Sequence, residues 1–533
     1  YSGFCYMGFV EENIRDLKRF DEIVRILADY QLGIVLDYLD LKHRVPYTKR
    51  FGMSDDEPEP ERLRQALEDL GPTFIKFGQL MAQRPDIVPQ RYINQLENLE
   101  DNVKEFENQK AMDIVREEVE GFEDVFDSIE EEPIGSASIA QVYRATLSSG
   151  EDVVVKVRRP EIKEKAETDL DIMKAVSGRA ENLSKVLSNM RIHNLVQEFG
   201  EWFKDEMDFE KEARNAKTIK RNMSDVDNVK VPKVYEQHST EKVLVMEYVD
   251  GVKCTEDEKL KQLDVDMAEI THTGIEMGLK QVIRDGMFHA DPHPSNFFID
   301  EEGRIILIDF GMVGKLTKKS RRRLGLLILH IENEDVESAV DVITDMSYVS
   351  EGADLEKFKQ DVERITLELR NSRAKDNSLS KTILDMAVKA SDRGVYLPMN
   401  LVLTGKALVT LEGILLTVNP EARLTKEYRE QVEQVLKNQY SLKDISKSLS
   451  INLLQNKNLI TNAPSKINKM LETQSQEKTE VQIETSDHHE DILTASLVLS
   501  GAFLIAQALP AYSLKIVGTL FILAAAVLFS KKI

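Results

Sequence analysis

The chain has 533 residues, 31% of them charged, and a formal net charge of −23. That length exceeds one ordinary domain of roughly 100–200 residues, and the acidic excess argues against nucleic acid as the main partner, because phosphate binding needs a surplus of Lys and Arg. The two cysteines, Cys5 and Cys254, lie far apart without metal-ligand spacing, which excludes a disulfide framework and a zinc site.

The opening Tyr1-Ser2-Gly3-Phe4 carries neither a methionine nor a basic stretch before an apolar one. No secretory signal is expected, and the native start is expected upstream. From Glu11 to Leu41, apolar residues at helical spacing (Ile14, Leu17, Phe20, Val24, Leu27) predict an amphipathic helix, read as core packing in preference to a membrane-surface role. The acidic, proline-punctuated stretch Asp55–Pro60 predicts a loop, and a second helical region is expected to run to about Val125.

At Ile129 the pattern changes. Ile139–Leu147, the turn Ser148-Ser149-Gly150 and Val153–Val157 predict a β-hairpin. A polar helical stretch over Glu161–Asn222 follows, then strands at Val229–His238 and Lys242–Tyr248. After Gly251 the chain reads as helical, broken by a strand pair at Asn296–Ile299 and Arg304–Ile308. A β-rich part followed by a helical part is the outline of a protein kinase. Residues 441–490 turn to Lys, Asn, Ser, Gln and Glu, as a flexible connector does. Ile492–Leu509 and Ile516–Phe529 are apolar runs separated by Pro510 and closed by Lys531-Lys532. At about 1.5 Å per residue they suit a hairpin across a hydrocarbon core of about 30 Å, with Lys515 snorkelling to its edge.

The chemistry concentrates in His289-Ala290-Asp291-Pro292-His293-Pro294-Ser295-Asn296 and, after an apolar strand, Asp309-Phe310-Gly311. An Asp and an Asn five residues apart, followed by Asp-Phe-Gly, are the arrangement by which protein kinases supply a base and two oxygen ligands for magnesium. Asp291 is the candidate catalytic residue, and Asn296 and Asp309 are the candidate Mg2+ ligands. Lys156, ending the strand run Val153-Val154-Val155, suits the phosphate-contacting lysine. Gly135, Ser136, Ala137 and Ser138 stand where a glycine-rich phosphate loop would be; with one glycine, this loop is expected to be stiffer than an ordinary kinase's. Val243–Val249 resembles a strand entering a kinase hinge, so Glu247 and Val249 are candidates for adenine contact. His289 and His293 are read as structural, and His488-His489 as solvated.

Further motifs make the resemblance specific. Lys76-Phe77-Gly78-Gln79, in a stretch continuing Arg84-Pro85-Asp86, and Glu206-Met207-Asp208 combine with the kinase-like set in five ordered motifs over about Gln65–Lys315. Together they resemble the UbiB family of atypical kinases. That resemblance implies an α+β, two-lobed protein-kinase-like fold with a helical N-terminal extension, ATP and Mg2+ as cofactors, and a role in isoprenoid quinone or other membrane-lipid metabolism. It implies that Glu212 pairs with Lys156, that Glu206 and Asp208 face the extension, and that Lys76 and Gln79 cover the place where a protein substrate would dock. Gly135 departs from the alanine of many members.

The expected organisation is an extension over 1–128, a kinase-like N-lobe over 129–250, a helical C-lobe over 251–440, a linker over 441–490 and a transmembrane hairpin over 491–533. The reading is a membrane kinase or ATPase with its kinase-like part on the cytoplasmic side. Its expected partners are a membrane lipid or isoprenoid-type molecule and lipid-biosynthesis enzymes, with no nucleic acid. The alternatives are a Ser/Thr protein kinase and a nucleotide-binding pseudokinase scaffold.

Overall fold

Strand alternation organises the β-rich part. β1 (Phe126–Ile129), β2 (Gly135–Ser136), β3 (Ala140–Leu147) and β4 (Asp152–Arg158) come first. β5 (Val229–Lys230) belongs to another sheet, and β6 (Val243–Glu247) closes the first in the order β1-β3-β4-β6, with β2 beside β3. The expected hairpin forms, with β3 and β4 in register from Ala140↔Arg158 to Thr146↔Asp152. Gly150 takes the positive φ (+95°) that the turn requires. With a side-chain period of two, Val153, Val155 and Val157 fall on one face. There they pack with Tyr143, Val243 and Val245 and with Ala111 and Val115 of helix Asn108–Glu118. Val154, Lys156 and Arg158 fall on the other face, toward Leu244, Met246 and Phe209.

The computed structural model describes residues 17–32, 59–99, 105–371, 378–422 and 424, all within the unit Tyr1–Ser441. The expected linker and the hairpin runs Ile492–Leu509 and Ile516–Phe529 lie outside the described residues, as do the ends of the first expected helix. Its described part, Leu17–Asp29, buries Phe20, Ile23, Val24 and Leu27, which is core packing. Arg19 ties this helix to the fold: Nε bonds Asp169 Oδ1 at 2.7 Å and Nη2 donates to the Leu70 carbonyl at 2.6 Å. Pro60, expected at the end of a loop, is the first residue of helix Pro60–Leu70, where its missing N–H costs nothing. Helices Pro72–Ala82, Gln90–Leu96, Asn108–Glu118 and Phe122–Val125 follow before β1.

The polar stretch after β4 divides into helices Ile162–Leu183, Ile192–Glu206 and Phe209–Asn222, with a short turn of helix at Lys185–Asn189. The strand expected over Val229–His238 is shorter than read. β5 covers two residues, Val234 makes a lone bridge to Met246, and Glu236–His238 is a 3₁₀ turn. Pro232 interrupts this run and has no N–H to continue a ladder.

In the helical part, β7 (Val252–Lys253), β8 (Met287–His289), β9 (Phe297–Ile299), β10 (Ile305–Leu307) and β11 (Val313–Lys315) are short. β9 and β10 pair antiparallel where a strand pair was expected, while the β8–β11 pair was not anticipated. Helix Met399–Val418 is long and apolar enough to cross a membrane by length and composition, yet 67% of its most apolar stretch is buried inside the fold. Gly274 and Gly278 let helix Met267–Leu279 approach it at Leu415 and Leu411.

Candidate functional site

Lys156 stands on the inner face of the sheet, between strands that fix it from both sides: Val142 is its partner on β3 and Leu244 its partner on β6. Its Nζ lies 2.9 Å from each carboxylate oxygen of Glu212 and 3.6 Å from Asp309 Oδ2. Glu212 comes from the first turn of helix Phe209–Asn222. Asp208 caps that helix by accepting the N–H groups of Glu210 and Lys211. Two residues separate this helix from Ile192–Glu206, and the junction is held to the sheet by Arg158, whose Nη1 donates to the Met207 carbonyl at 2.8 Å. Glu206 therefore ends beside the same centre, where Lys76 of helix Pro72–Ala82 reaches it at 2.8 Å.

Gly311 is where these groups meet. A Cβ added there would lie 3.2 Å from Asp309 Oδ1, 3.5 Å from Glu206 Cγ and 4.0 Å from Glu212 Oε2. Asp309 has φ +60°, a left-handed backbone that Asp tolerates better than most residues, and its carboxylate accepts the Gly311 N–H at 3.0 Å. Three carboxylates thus face two ammonium groups. Burial pushes Glu212 up and Asp309 adds to it; the Lys156 charge opposes both, and the carboxyl settles at about 7. Burial also works against ionised Asp309, but Lys156, the Gly311 N–H, Lys76 and His289 outweigh it and hold the carboxyl at about 2. For Lys156, burial disfavours the charge, and Asp309 and Glu212 more than restore it.

Asp291 and Asn296 lie on the loop between β8 and β9, both half-buried. That loop is stitched to the Asp309 segment. Ala290 N donates to the Met312 carbonyl at 3.0 Å, His289 Nε2 lies 3.3 Å from the Ile308 carbonyl, and Ile308 N donates to the Asn296 carbonyl at 3.1 Å. Asn296 is thereby fixed beside the residue that precedes Asp309. Among the described residues no three His, Cys, Asp or Glu side chains converge as a ready metal site. One carboxylate and one amide instead suit Mg2+, which keeps waters and takes its other oxygens from phosphate.

Gly135–Ser138 form the near edge, with Gly135 opposite Val142 and Ser136 opposite Gln141. Ser138 is fully buried, and its hydroxyl has no hydrogen-bond partner. Glu247 turns its carboxylate to Lys230 at 2.8 Å and to the Lys233 N–H at 2.9 Å, so only backbone groups there and at Val249 are suited to adenine.

Gln79 donates to the Leu99 carbonyl at 3.1 Å, and Asp208 caps helix Phe209–Asn222. Arg158, which positions the Glu206–Glu212 junction, was missed. Its only sequence signal is its place two residues after Lys156, on the same strand face.

Residues 98–343 match the ABC1 atypical kinase-like domain. The chain is 34% identical over 379 residues to the Arabidopsis thaliana protein named ACTIVITY OF BC1 COMPLEX KINASE 1, chloroplastic, covering 69% of this chain and 54% of that protein. It is 32% identical over 370 residues to the uncharacterized protein slr1919 of Synechocystis, covering 69% of this chain and 65% of that one. The chain thus spans between about half and two thirds of the length of these relatives. A solved structure, the Mycobacterium tuberculosis Rv3197–erythromycin complex, is 22% identical, with a TM-score of 0.46 over 64% of this chain and 87% of that one.

Proposed function

The chain belongs to the ABC1 atypical kinase-like family, the UbiB type, and on that premise we propose that it binds Mg-ATP and hydrolyses it, or transfers its phosphoryl group, in support of membrane-lipid or isoprenoid quinone metabolism. The observation that carries this reading is Lys156, held at 2.9 Å by Glu212 while lying 3.6 Å from Asp309. A lysine fixed by a buried carboxylate keeps its charge and aim for phosphate, while the Asp309 carboxylate, ionised far below neutrality, suits a hard cation.

In this reading Asn296 and Asp309 hold Mg2+, Lys156 and the Gly135–Ser138 loop receive the phosphates, and Asp291 accepts the proton of the attacking hydroxyl or water. The bound ion neutralises charge on the phosphate oxygens. Glu212 orients Lys156, and the backbone bonds from Ile308 and Ala290 keep Asn296 and Asp291 in place.

Lys76 and Glu206 act as a gate. Their pairing at 2.8 Å puts the extension against the carboxylate cluster, which favours a small or lipid-borne acceptor over a folded protein substrate. The apolar runs Ile492–Leu509 and Ile516–Phe529 suit, by composition, a membrane anchor, and the kinase-like part is read as two lobes with nucleotide between them. A helix is required of any such span because lipid cannot satisfy backbone polar groups.

The test is ATP hydrolysis with liposomes, together with the thermal shift produced by Mg-ATP, in wild type and Asp309→Asn. Wild type should turn over and gain stability from the ligand, and Asp309→Asn should lose both. An undiminished shift in Asp309→Asn would remove the metal role assigned here.

A further inference from the structure

Arg158 ends β4 and Arg159 follows it, and the two side chains go to different partners. Arg158 holds the Met207 carbonyl behind Lys156. Arg159 turns to the phosphate loop and bonds it at three points. Its backbone N–H donates to the Ile139 carbonyl at 2.8 Å, its Nε to the Ala137 carbonyl at 2.9 Å and its Nη2 to Ser136 Oγ at 3.0 Å.

The guanidinium is itself held. It lies over the Phe106 ring, 5.4 Å from the centroid, and Phe106 N donates to Gln141 Oε1 at 2.9 Å. Gln141 is fully buried, and its amide also donates to the Tyr143 hydroxyl at 3.1 Å. The segment just before helix Asn108–Glu118 therefore supplies the seat on which Arg159 rests.

Peptide geometry makes this consequential. In a trans peptide the carbonyl of one residue and the N–H of the next point in opposite directions. Pinning the Ala137 carbonyl onto Arg159 draws an oxygen that would repel phosphate to the arginine side, and turns the Ser138 N–H to the opposite side. A loop with a single glycine has little freedom to reach that arrangement when ligand arrives, so its shape has to be set beforehand.

We propose that Arg159 is the positioning residue of the phosphate loop: its fork, seated on Phe106, presets Ser136–Ile139 so that the loop offers the Ser138 backbone N–H to a nucleoside triphosphate, the Ala137 N–H being held by the Ala140 carbonyl at 2.8 Å. The proposal rests on the Mg-ATP reading above, and it adds a coupling, through Phe106, between the phosphate loop and the segment that precedes helix Asn108–Glu118.

The experiment joins two measurements on the full chain. Amide hydrogen exchange across residues 136–140 without nucleotide reads the bracing, and Mg-ATP affinity by calorimetry reads its consequence. Arg159→Lys keeps the charge but cannot span both acceptors, so exchange should quicken about tenfold and affinity should fall about tenfold, the effect of one well-placed charged hydrogen bond. Arg364→Ala removes an exposed arginine of helix Leu355–Asn371, paired with Asp361 at 3.3 Å, and should change neither.

Unchanged exchange in Arg159→Lys overturns the bracing. Quickened exchange with affinity within about twofold of wild type overturns the positioning role, since a merely structural arginine would behave that way. If Arg159→Lys does not fold, Ser136→Ala keeps the arginine and removes one acceptor. It should quicken exchange and weaken binding about threefold, and no change in either overturns the proposal. Wild-type protein that fails to bind Mg-ATP defeats the nucleotide reading and the positioning role with it, and the exchange measurement still decides the bracing.

Discussion

The sheet and the extension each bring one lysine to the carboxylates around Gly311, and they hold it by different means. Lys156 is fixed by strands paired on both sides, so its direction follows from backbone hydrogen bonds and a period of two. Lys76 is fixed by helix packing. The Phe77 ring meets Phe199 edge-on at 5.2 Å, and Gly78 lets Leu67 and Leu99 close on the helix, where a Cβ would lie 2.9 Å from Leu67 and run into Leu99. A lysine held by a sheet cannot leave without unpairing strands. One held by side-chain contacts between helices can withdraw with its helix, and that difference suits one lysine to building the site and the other to gating it.

The largest effect is expected from Lys156→Met. Glu212, 1% exposed at its side chain, would be left buried without its cation, at a cost of about 3 kcal/mol at alkaline pH. The cost should shrink on acidification. The Glu212 carboxyl is held at about 7 against an ordinary 4.5, so the folded chain binds this proton more tightly than the unfolded one. The stability it contributes is complete below about 4.5 and is lost as pH rises through about 7. Asp309 has the opposite sign, but its contribution is lost only as pH falls from 3.8 through about 2, outside this window. Lys156 lowers this carboxyl, so without it Glu212 rises further and the variant loses more stability than wild type as pH rises; urea unfolding at pH 6 and pH 8.5 should show a wider gap at the higher pH. An equal gap would mean that Glu212 does not take up the proton.

A smaller loss, about 2 kcal/mol, is expected for Lys76→Met, because Glu206 is slightly less buried, at 8%, than Glu212. A lysine buried in an ion pair affects stability as well as any gating. The Mg-ATP thermal shift should survive in Lys76→Met, as it should not in Lys156→Met. Loss of the shift in both variants would make the extension part of the nucleotide site and end the distinction drawn above.

How much of this was legible in the sequence follows the same division. The β3–β4 hairpin could be read because alternation and a Ser-Gly turn are local signals, and the kinase-like residues because their spacing lies within single loops. The use of Gln79 on the Leu99 carbonyl and of Asp208 as a cap could not be read, since a short polar side chain takes whichever orphan backbone group the fold leaves beside it. Arg158 and Arg159 escape a sequence reading for a related reason: their acceptors, the Met207 and Ala137 carbonyls, the Glu241 carboxylate and the Ser136 hydroxyl, are brought close only by the fold. The net charge of −23 also hid a basic run, Lys318-Lys319-Ser320-Arg321-Arg322-Arg323, at the head of helix Lys318–Glu332. There Arg323 is committed to Asp345 at 2.6 Å and Arg321 to the Arg284 carbonyl.

The smallest effect is expected where the phosphate loop keeps its one glycine. Gly135 does not have a positive φ, and a Cβ built on it meets nothing within 4 Å, so neither backbone strain nor lack of space requires glycine. Gly135→Ala should change stability by less than about 0.5 kcal/mol, with a slight gain possible because alanine narrows the unfolded ensemble. Its affinity for Mg-ATP should stay within about twofold of wild type, since on this reading Arg159, and not glycine's freedom, sets the loop's shape. Calorimetric titration of the variant checks this. A tenfold loss would show that the loop rearranges at Gly135 when nucleotide enters, so that the stiffness assigned to the sheet side of the site would hold for Lys156 but not for the loop beside it.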